Sequence, residues 1–365
     1  MITIDAEGTV LDVSAPPDIN SLQQVEFYSG ALIPGMVNAH THLELSYLKG
    51  MVREGGGFAG FAAGLRESRD RFSAEDIFKA IEYNDAKMWA EGVQAVGDIC
   101  NGGSTFEAKR RSRIVYHSFV ELFGLNTGRA EAIRAFALRD EAVAGGLRAT
   151  VTPHAMYSLN EEGFGLAAGD DANSPLSIHF MESPEETELF EGRGEMHDWY
   201  TTAGFSTDFT ASYSSPAERL VSRVPTDRKV LLVHDTLVSQ REVDTVVSHF
   251  GRNATFVLCP RSNRYITGLT PPAELLRSNN VRVAVGTDSL ASNHSLSMVD
   301  ELKCLSGIPL EESLQWATMG GAQALGLDGE LGSFEMGKRP GVVLLTGVDW
   351  TSRTLLPSAA TKRIV

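Results

Sequence analysis

Cysteine is scarce in this chain of 365 residues: only Cys100, Cys259 and Cys304 are present, far apart and odd in number. A disulfide framework is therefore not expected, and a reducing cytoplasm is the expected location. Basic residues are also few, with 32 Lys and Arg against 47 Asp and Glu, a formal net charge of −15. Because no basic run or basic and aromatic stripe is present, we expect neither nucleic acid nor a membrane surface as the main partner.

Long apolar runs are absent as well. No segment approaches the ~20 apolar residues that a membrane-spanning helix needs. The first residues, Met1 to Asp5, lack the basic start and apolar centre of a signal peptide, so none is expected. With 42% hydrophobic and 22% charged residues, the composition is that of a globular protein with a large core. This length allows two domains, or one large α/β barrel with an appendage.

Short buried-looking strands alternate with helical patterns from residue 32 onward, which favours βα units and a parallel sheet. The eight predicted strands are 32–38, 93–99, 114–119, 148–153, 176–179, 230–234, 255–258 and 281–286. Helices are predicted over 74–91, 129–144, 239–248, 272–278, 297–305 and 310–325. Eight alternations predict a (β/α)8 TIM barrel, whose active site lies at the carboxyl ends of the strands.

The two ends of the chain are predicted to form a small β-domain. Residues 1–31 alternate apolar and polar residues around turns, and residues 329–365 return to strand character after the last predicted helix. We expect these segments to pair as a small β-sandwich, with residues 32–328 forming the barrel. Two connections, 50–72 and 183–228, are long and rich in aromatic residues. They either serve function at the catalytic face or fill a local core.

Two histidines end the apolar run of the first predicted barrel strand. His40 and His42 are two residues apart, so on a strand both imidazoles point to the same side. Two imidazoles that face one point are suited to a divalent metal. Taken alone, the pair is also consistent with ordinary histidines at a strand end.

Three further strands end in residues of the same kinds. Strand 176–179 ends in His179, strand 230–234 ends in His234, and strand 281–286 leads into Asp288. Because the carboxyl ends of barrel strands meet at one face, we expect these side chains to converge with the histidine pair. Imidazoles and a carboxylate together suit zinc, with Fe²⁺ or another first-row divalent metal as alternatives.

Glu182 and His234 are candidates for proton transfer. Three histidines and one aspartate leave a position for a water molecule, whose pKa a bound metal can lower toward ~7. His234 then need not be a ligand and can hold the water and take its proton. Glu182, three residues after His179, can accept a proton and pass it to the substrate. The alternative is that Glu182 is only a carboxylate near a helix start at Pro184.

The motifs, taken as a set and in order, resemble the amidohydrolase superfamily. They are Pro34-Gly35-Met36-Val37-Asn38-Ala39-His40-Thr41-His42, His179-x-x-Glu182, His234, Cys259-Pro260-x-Ser262-Asn263 and Gly286-Thr287-Asp288-x-x-Ala291-Ser292-Asn293. Within the superfamily they are similar to the branch that holds guanine, S-adenosylhomocysteine and aminodeoxyfutalosine deaminases and the triazine chlorohydrolases.

The resemblance implies roles for individual residues. It implies metal ligation by His40, His42, His179 and Asp288, with Glu182 as proton shuttle, His234 as the residue that orients and activates the water, and Asp288 also accepting its proton. It places His154 near the substrate, where that residue could equally be structural. Arg261 and Asn263 are candidates for substrate binding on the seventh strand's loop.

The chain departs from the family pattern in two places. Gly337-Lys338 is followed by Arg339-Pro340-Gly341 instead of the usual x-Ala-Asp, and the chain is short for the branch, so the N-terminal strands are expected to be reduced. Binuclear relatives bridge two metals with a carboxylated lysine on strand four, and residues 148–153 contain no lysine. One metal per chain is therefore expected.

The resemblance implies a mononuclear zinc deaminase that converts an aminated purine or adenine nucleoside, such as aminodeoxyfutalosine, to the oxo product and ammonia. The alternative is a hydrolase with the same site that expels chloride, an alkylamine or an amide amine. A third reading is a non-catalytic metal-binding relative, which does not need Glu182 or His234. The expected partner is a small-molecule substrate, and a homodimer is the oligomer considered.

Overall fold

The structure is a computed structural model that describes residues 1–15, 25–126 and 128–365. Its strands are β1 Ile2–Ile4, β2 Val10–Val13, β3 Ala31–Pro34, β4 Met36–Thr41, β5 Val93–Cys100, β6 Val115–Leu122, β7 Arg148–Pro153, β8 Leu176–Phe180, β9 Val230–His234, β10 Ala254–Leu258, β11 Arg282–Val285, β12 Val342–Asp349 and β13 Thr354–Arg363.

Eight parallel strands, β4 to β11, form the barrel. They pair in the orders β4-β5-β6-β7 and β8-β9-β10-β11. Single bridges close the two gaps, between Ala155 and His179 and between Thr41 and Asp288. The predicted (β/α)8 fold is therefore confirmed. Two of the residues in the closing bridges, His179 and Asp288, are candidates for the metal site.

The helices surround these strands. They are α1 Gly57–Ser68, α2 Ala74–Ala90, α3 Phe106–Arg111, α4 Gly128–Ala144, α5 Glu161–Ala168, α6 Pro184–Phe190, α7 Gly194–Ala203, α8 Asp208–Ser212, α9 Pro216–Arg223, α10 Gln240–Phe250, α11 Pro260–Thr267, α12 Ala273–Ser278, α13 Met298–Leu302, α14 Leu310–Gln315 and α15 Gly321–Ala324. A π-helical turn, Trp316–Gly320, joins α14 to α15 where one unbroken helix was predicted.

Alternating residues of the strands fill two different cores. In β9, Leu231 and Val233 belong to the cluster inside the barrel, whereas Val230 and Leu232 pack in the cluster between barrel and helices. Because both faces of each strand are buried, the strands are continuous apolar runs, which is why they were visible in the sequence.

The single strand predicted over 32–38 is wrong, because the chain passes from one sheet to another at Gly35. β3 pairs antiparallel with β12, whereas β4 starts the barrel. The Gly35 N–H donates to the carbonyl of Pro340 at 2.9 Å, and a Cβ at Gly35 would overlap that oxygen. The apolar pattern continues across this change of sheet and therefore hides it.

The chain ends form antiparallel sheets apart from the barrel, as predicted, but the strand that pairs with the tail is β3, of which only Ala31 belongs to the predicted segment 1–31. One is β13-β12-β3 and the other is the pair β1-β2. Val10 of β2 exchanges backbone hydrogen bonds with Gly337 and Lys338, which joins the amino-terminal hairpin to the tail. The domain limits at 31/32 and 328/329 stay a prediction. In the described part of the chain, no helix is both long enough and apolar enough to cross a membrane.

Candidate metal centre and its cavity

Four predicted ligands converge at the carboxyl ends of the barrel strands. β4 supplies His40 and leads into His42, β8 supplies His179, and Asp288 follows β11. His42 Nε2 lies 3.3 Å from His179 Nε2 and 3.3 Å from Asp288 Oδ1, and His40 Nε2 lies 3.6 Å from the same carboxylate oxygen. Close packing brings the elements this near, since a Cβ at Gly286 would meet the backbone of His40.

These separations fit a divalent metal. Four ligand atoms held tetrahedrally at about 2.1 Å from an ion stand roughly 3.4 Å apart. The imidazole of His40 is fully buried, and neither of its nitrogens has a hydrogen-bond partner within the described residues. Buried polar atoms without a partner are costly, so a ligand that uses them is expected. The donor set and the spacing identify a divalent-metal site.

The other face of His179 contacts a carboxylate. Its Nδ1 lies 3.2 Å from Glu121 Oε1 and 3.1 Å from the carbonyl oxygen of His154. Both neighbours are acceptors, so Nδ1 carries a hydrogen, and Nε2 is the nitrogen that can bind a metal once it is deprotonated. Glu121, His154 and His179 also lie close enough to hold an ion themselves. The hydrogen on Nδ1 excludes that second arrangement while His179 serves the first site.

Charge and burial act in opposite directions on the histidines. Burial lowers the pKa of His42 to about 4, which leaves its imidazole neutral at pH 7. For His179, burial also disfavours the charged form, but the hydrogen bond and charge of Glu121 outweigh it and raise the pKa to about 9. A metal therefore has to displace a proton from His179 in order to bind.

Glu182 and His234 lie side by side next to this cluster. His234 Nε2 is 3.5 Å from Glu182 Oε1, and both side chains are buried. Burial raises the pKa of Glu182 to about 7 and lowers the pKa of His234 well below its usual value. The Asn263 amide nitrogen lies 3.3 Å from His234 Nδ1, as a donor to it. A neutral His234 then carries its hydrogen on Nε2, the nitrogen that faces Glu182.

The backbone is unusual where these side chains leave the strands. His234 and Asp288 have positive φ angles of 85° and 53°, a region that non-glycine residues seldom occupy. The Asp288 carboxylate is held in place by the hydroxyls of Ser262, at 2.5 Å, and Ser292, at 2.6 Å. These contacts fix Oδ2, so that Oδ1 faces the histidines.

A cavity of about 410 Å³ opens above the cluster. Its inner end is polar and is lined by His42, Asn101, Glu121, His154, Ser158, His179, Glu182, His234, Asp288 and Ser289. Its outer end is mainly apolar and is lined by Leu45, Phe58, Phe61, Ala62, Leu65, Phe123, Gly124, Leu125, Trp199, Tyr200 and Phe205, with Arg69 at the rim. A molecule with a polar head and an apolar arm would match this gradient.

The aromatic residues of the long connection after β8 fall into two groups. Some line the cavity and others form a local core, and these are the two alternatives that the sequence left open. Trp199, Tyr200 and Phe205 line the cavity. Phe209 and Tyr213 instead surround the buried guanidinium of Arg219, at 4.3 Å and 6.0 Å from ring centre to Cζ. One part of the segment 183–228 thus lines the cavity, and another part forms a small core around Arg219.

The three predicted substrate-binding residues occupy different surroundings. His154 lines the cavity, with its ring 4.7 Å from that of His179. Asn263 is fully buried beneath His234. Arg261 Nη1 contacts Ser295 at 2.7 Å and Asp300 at 3.6 Å. Asn263 and Arg261 are not among the described lining residues of this cavity. Substrate binding by these residues stays a prediction.

Sequence reasoning missed a carboxylate network beside the ligands. The Asn101 side chain donates to Glu121 Oε2 at 2.8 Å and to Glu44 Oε1 at 3.1 Å. Burial raises the pKa of Glu44 to about 7. Strand periodicity places Glu121 on the same face as Phe119, which points into the barrel, but this signal applies only if the strand is known to continue beyond residue 119.

Comparison with known proteins agrees with this geometry. The family model described as "Amidohydrolase family" matches residues 31–357. An adenosine deaminase of Helicobacter pylori is 29% identical over 328 residues, 86% of this chain and 78% of that protein. An aminodeoxyfutalosine deaminase of Nitratiruptor is 28% identical over 325 residues, 84% of this chain and 76% of that protein.

A solved structure is also similar over almost the whole chain. The crystal structure of H. pylori aminofutalosine deaminase in complex with methylthio-coformycin aligns with a TM-score of 0.82 and 26% identity, over 95% of this chain and 87% of that one. The family match, these relatives and the metal site together show that this chain is a metal-dependent hydrolase that belongs to the amidohydrolase family.

Proposed function

We propose that this protein is a mononuclear zinc deaminase that converts an adenine nucleoside, such as aminodeoxyfutalosine, to its oxo product and ammonia. His40, His42, His179 and Asp288 would hold the ion. One ion is proposed because β7 offers no lysine to bridge two. The relatives named above as deaminases of adenosine and aminodeoxyfutalosine support the reaction class.

When bound, the metal supplies positive charge that makes a water molecule acidic enough to attack at neutral pH. Glu182 would accept one proton from the attacking water, since a carboxyl with a pKa of about 7 can both take up and release a proton near neutral pH. The same carboxyl would deliver this first proton to the ring nitrogen next to the attacked carbon. After the oxygen has added, Glu182 would take the second proton from the new hydroxyl group and pass it to the amine, so that ammonia leaves as the C–N bond breaks and the C=O bond forms. A ring carbon that bears an amine is a poor electrophile until the neighbouring nitrogen is protonated.

His234 would orient the attacking oxygen. Its Nε2 hydrogen faces the region between Glu182 and Asp288, so it can donate a hydrogen bond to the oxygen and stabilise the negative charge that develops there. Asn263 keeps the imidazole in this tautomer from the opposite side. Asp288 Oδ2 is already bonded to two serine hydroxyls, which leaves Oδ1 to assist with the water's proton.

The polar inner end of the cavity suits the heterocycle. Glu121, Asn101, His154 and Ser158 offer donors and acceptors around a planar ring, close to the reacting groups. The aromatic outer end suits an apolar substituent on the sugar, with Trp199 among its walls. A free purine base would leave this outer half unfilled, which favours a nucleoside with an extended arm.

The observation that carries the proposal is the contact between Glu182 and His234 at the base of the cavity. Holding a metal requires neither residue, and a buried carboxyl with a raised pKa beside a neutral imidazole is typical of acid–base catalysis.

The test is a panel of adenine nucleosides, including adenosine, methylthioadenosine, S-adenosylhomocysteine and aminodeoxyfutalosine, with zinc-loaded protein. Loss of adenine absorbance with one equivalent of ammonia is expected. The metal-loaded Glu182→Gln variant serves as the control for contaminating deaminases. If the panel is inert while a chlorinated triazine, an N-alkylated ring or an amide is hydrolysed, the leaving group is wrong although the metal site stands.

A further inference from the structure

A second polar cavity lies at the opposite end of the barrel from the metal centre. It has a volume of about 510 Å³ and lies where β10 and β11 begin, against the helical segment 310–324. Its lining residues are Arg252, Arg277, Asn280, Val281, Arg282, Val283, Pro309, Glu311, Glu312, Gln315, Trp316, Met319, Gly320 and Gln323. The proposed deaminase reaction uses none of them.

The two acidic residues in this wall already have basic partners. Glu312 Oε2 lies 2.8 Å from Arg277 Nε, and Glu311 Oε1 lies 3.1 Å from Nη1 of Arg353. Their charges are therefore compensated by other arginines. Arg252 and Arg282 are the lining residues whose positive charges have no ion-pair partner among the described residues, and the charge of Asp328 acts on Arg282 only from farther away.

These two arginines stand next to each other. Arg282 Nη1 donates to the backbone carbonyl of Arg252 at 2.6 Å, which holds its guanidinium at the wall. The Nε of Arg282 is buried and has no hydrogen-bond partner in the described part of the chain. Within those same residues, no carboxylate lies within 4.0 Å of either guanidinium. Burial and the neighbouring charge of Arg252 lower the pKa of Arg282, and the charge of Asp328 opposes them only in part.

Two adjacent arginines without an ion-pair partner are unusual in such an acidic chain. In a chain with 47 acidic and 32 basic residues, a pair of adjacent arginines without a carboxylate costs free energy through repulsion. An anion between them would remove the repulsion and use the buried Nε as a donor. Guanidinium groups bind tetrahedral oxyanions through paired hydrogen bonds, and the amides of Asn280, Gln315 and Gln323 provide neutral donors around them.

The helical wall is irregular at this cavity. Trp316–Gly320 forms a π-helical turn, a feature that is rare and often found at functional sites. Gly320 lies directly on β11, since a Cβ there would overlap the carbonyl oxygen of Val283. The turn therefore brings Trp316 and Gly320 into the cavity wall beside the start of β11.

We propose that this cavity is a binding site for a phosphate-type oxyanion, with Arg252 and Arg282 as the residues that bind it. The ligand is either free inorganic phosphate or the phosphate group of a small phosphomonoester, since both present the same tetrahedral oxygens. The site is separate from the substrate cavity, which opens at the carboxyl ends of the strands.

The test is calorimetric titration of the zinc-loaded full-length protein with inorganic phosphate and, in a second arm, with ribose 5-phosphate, both at constant ionic strength. Saturable binding of at least one is expected for the wild type. The substitution Arg252→Gln, at an exposed residue, should weaken this binding at least tenfold, and Arg282→Gln should have the same effect. Tighter binding of ribose 5-phosphate than of phosphate would assign the site to phosphomonoesters, and the reverse to the free ion.

The matched control is Arg241→Gln. Arg241 is an exposed arginine in the first turn of α10, roughly 14 Å along that helix from its last residue, Phe250, and Arg252 lies in the turn beyond; the substitution removes the same charge from the molecule. It should bind phosphate as the wild type does. Unaltered deaminase turnover and zinc content would show that each variant is folded. Absence of saturable binding in the wild type, or equal binding by the Arg252→Gln and Arg241→Gln variants, would overturn the proposal.

Discussion

The imidazole of His179 is held between a metal position and the carboxylate of Glu121, with its Nδ1 3.2 Å from Glu121 Oε1. Such a carboxylate fixes the tautomer of a ligand histidine and makes it a stronger donor to the metal. Glu121→Gln should therefore lower zinc affinity by about 10- to 100-fold while the fold is kept. Competition with a chelator measures this. The control is Glu82→Gln, which removes an exposed carboxylate on α2. Equal zinc affinity in the two variants would contradict the role given to Glu121.

Glu121 also shows what the sequence did not reveal. The third barrel strand was predicted to end at residue 119, but β6 continues to Leu122 because Glu121 and Leu122 pair with Thr152 and Pro153 of β7. The amino-acid composition near residue 121 does not indicate this pairing, because the partner residues lie about 30 positions away in β7. The strand-end residues that follow apolar runs, such as His179 and His234, were visible because the runs themselves mark the strand ends.

The loop after the seventh strand shows the same limit. Arg261 and Asn263 belong to α11, which begins at Pro260. Two residues apart on a helix, their side chains point in different directions, so Asn263 reaches His234 while Arg261 reaches Ser295. The motif located the helix next to the site, but the phase of the helix decides which of the two residues meets His234.

Metal content provides the second prediction. Elemental analysis of the fully active protein should give one zinc per chain, and His40→Ala should abolish it, because that ring is buried at the centre of the cluster. Binding should also strengthen by about tenfold per pH unit from pH 6 toward 9, since His179, with a pKa of about 9, must release one proton. Two metals per active chain would contradict the single-ion site, and pH-independent affinity would contradict the protonation of His179.

The third prediction separates proton transfer from metal binding. Glu182→Gln removes the titratable carboxyl but keeps its size and a hydrogen-bonding group beside His234. Turnover should fall by ~10²-fold or more, the scale of general acid–base catalysis, with zinc content and melting temperature unchanged. Steady-state kinetics on the best substrate of the panel measures this. Turnover equal to that of the wild type, with the zinc still bound, would mean that Glu182 is structural.

A pH dependence of stability is expected from Glu186 of α6. Burial, aided by the charge of Glu182, raises the pKa of Glu186 to about 8. Between the ordinary pKa of a glutamate and 8, the unfolded chain loses a proton that the folded chain retains. The contribution of Glu186 to the free energy of unfolding is therefore fully present in acid and is lost as the pH rises to 8. The melting temperature of Glu186→Gln should therefore fall less than that of the wild type from pH 6 to 9. Glu195→Gln, on exposed α7, should follow the wild type, and parallel curves for all three proteins would contradict the expectation.

The last prediction concerns the outer end of the substrate cavity. Arg69 is the one lysine or arginine among the described lining residues, and it stands at the rim beyond the apolar wall. A substrate whose apolar arm ends in a carboxylate would place that charge near Arg69, whereas adenosine would not reach it. Arg69→Met should therefore raise KM by up to about fivefold, which corresponds to about 1 kcal/mol, for aminodeoxyfutalosine, the carboxylate-bearing substrate of the panel, and leave KM for adenosine unchanged. Arg66→Met is the matched control, because Arg66 lies on the preceding turn of α1 outside this lining. If both variants change KM equally, or if adenosine is affected as strongly as the carboxylate-bearing substrate, Arg69 acts through the net charge or the packing of the rim and does not bind the carboxylate.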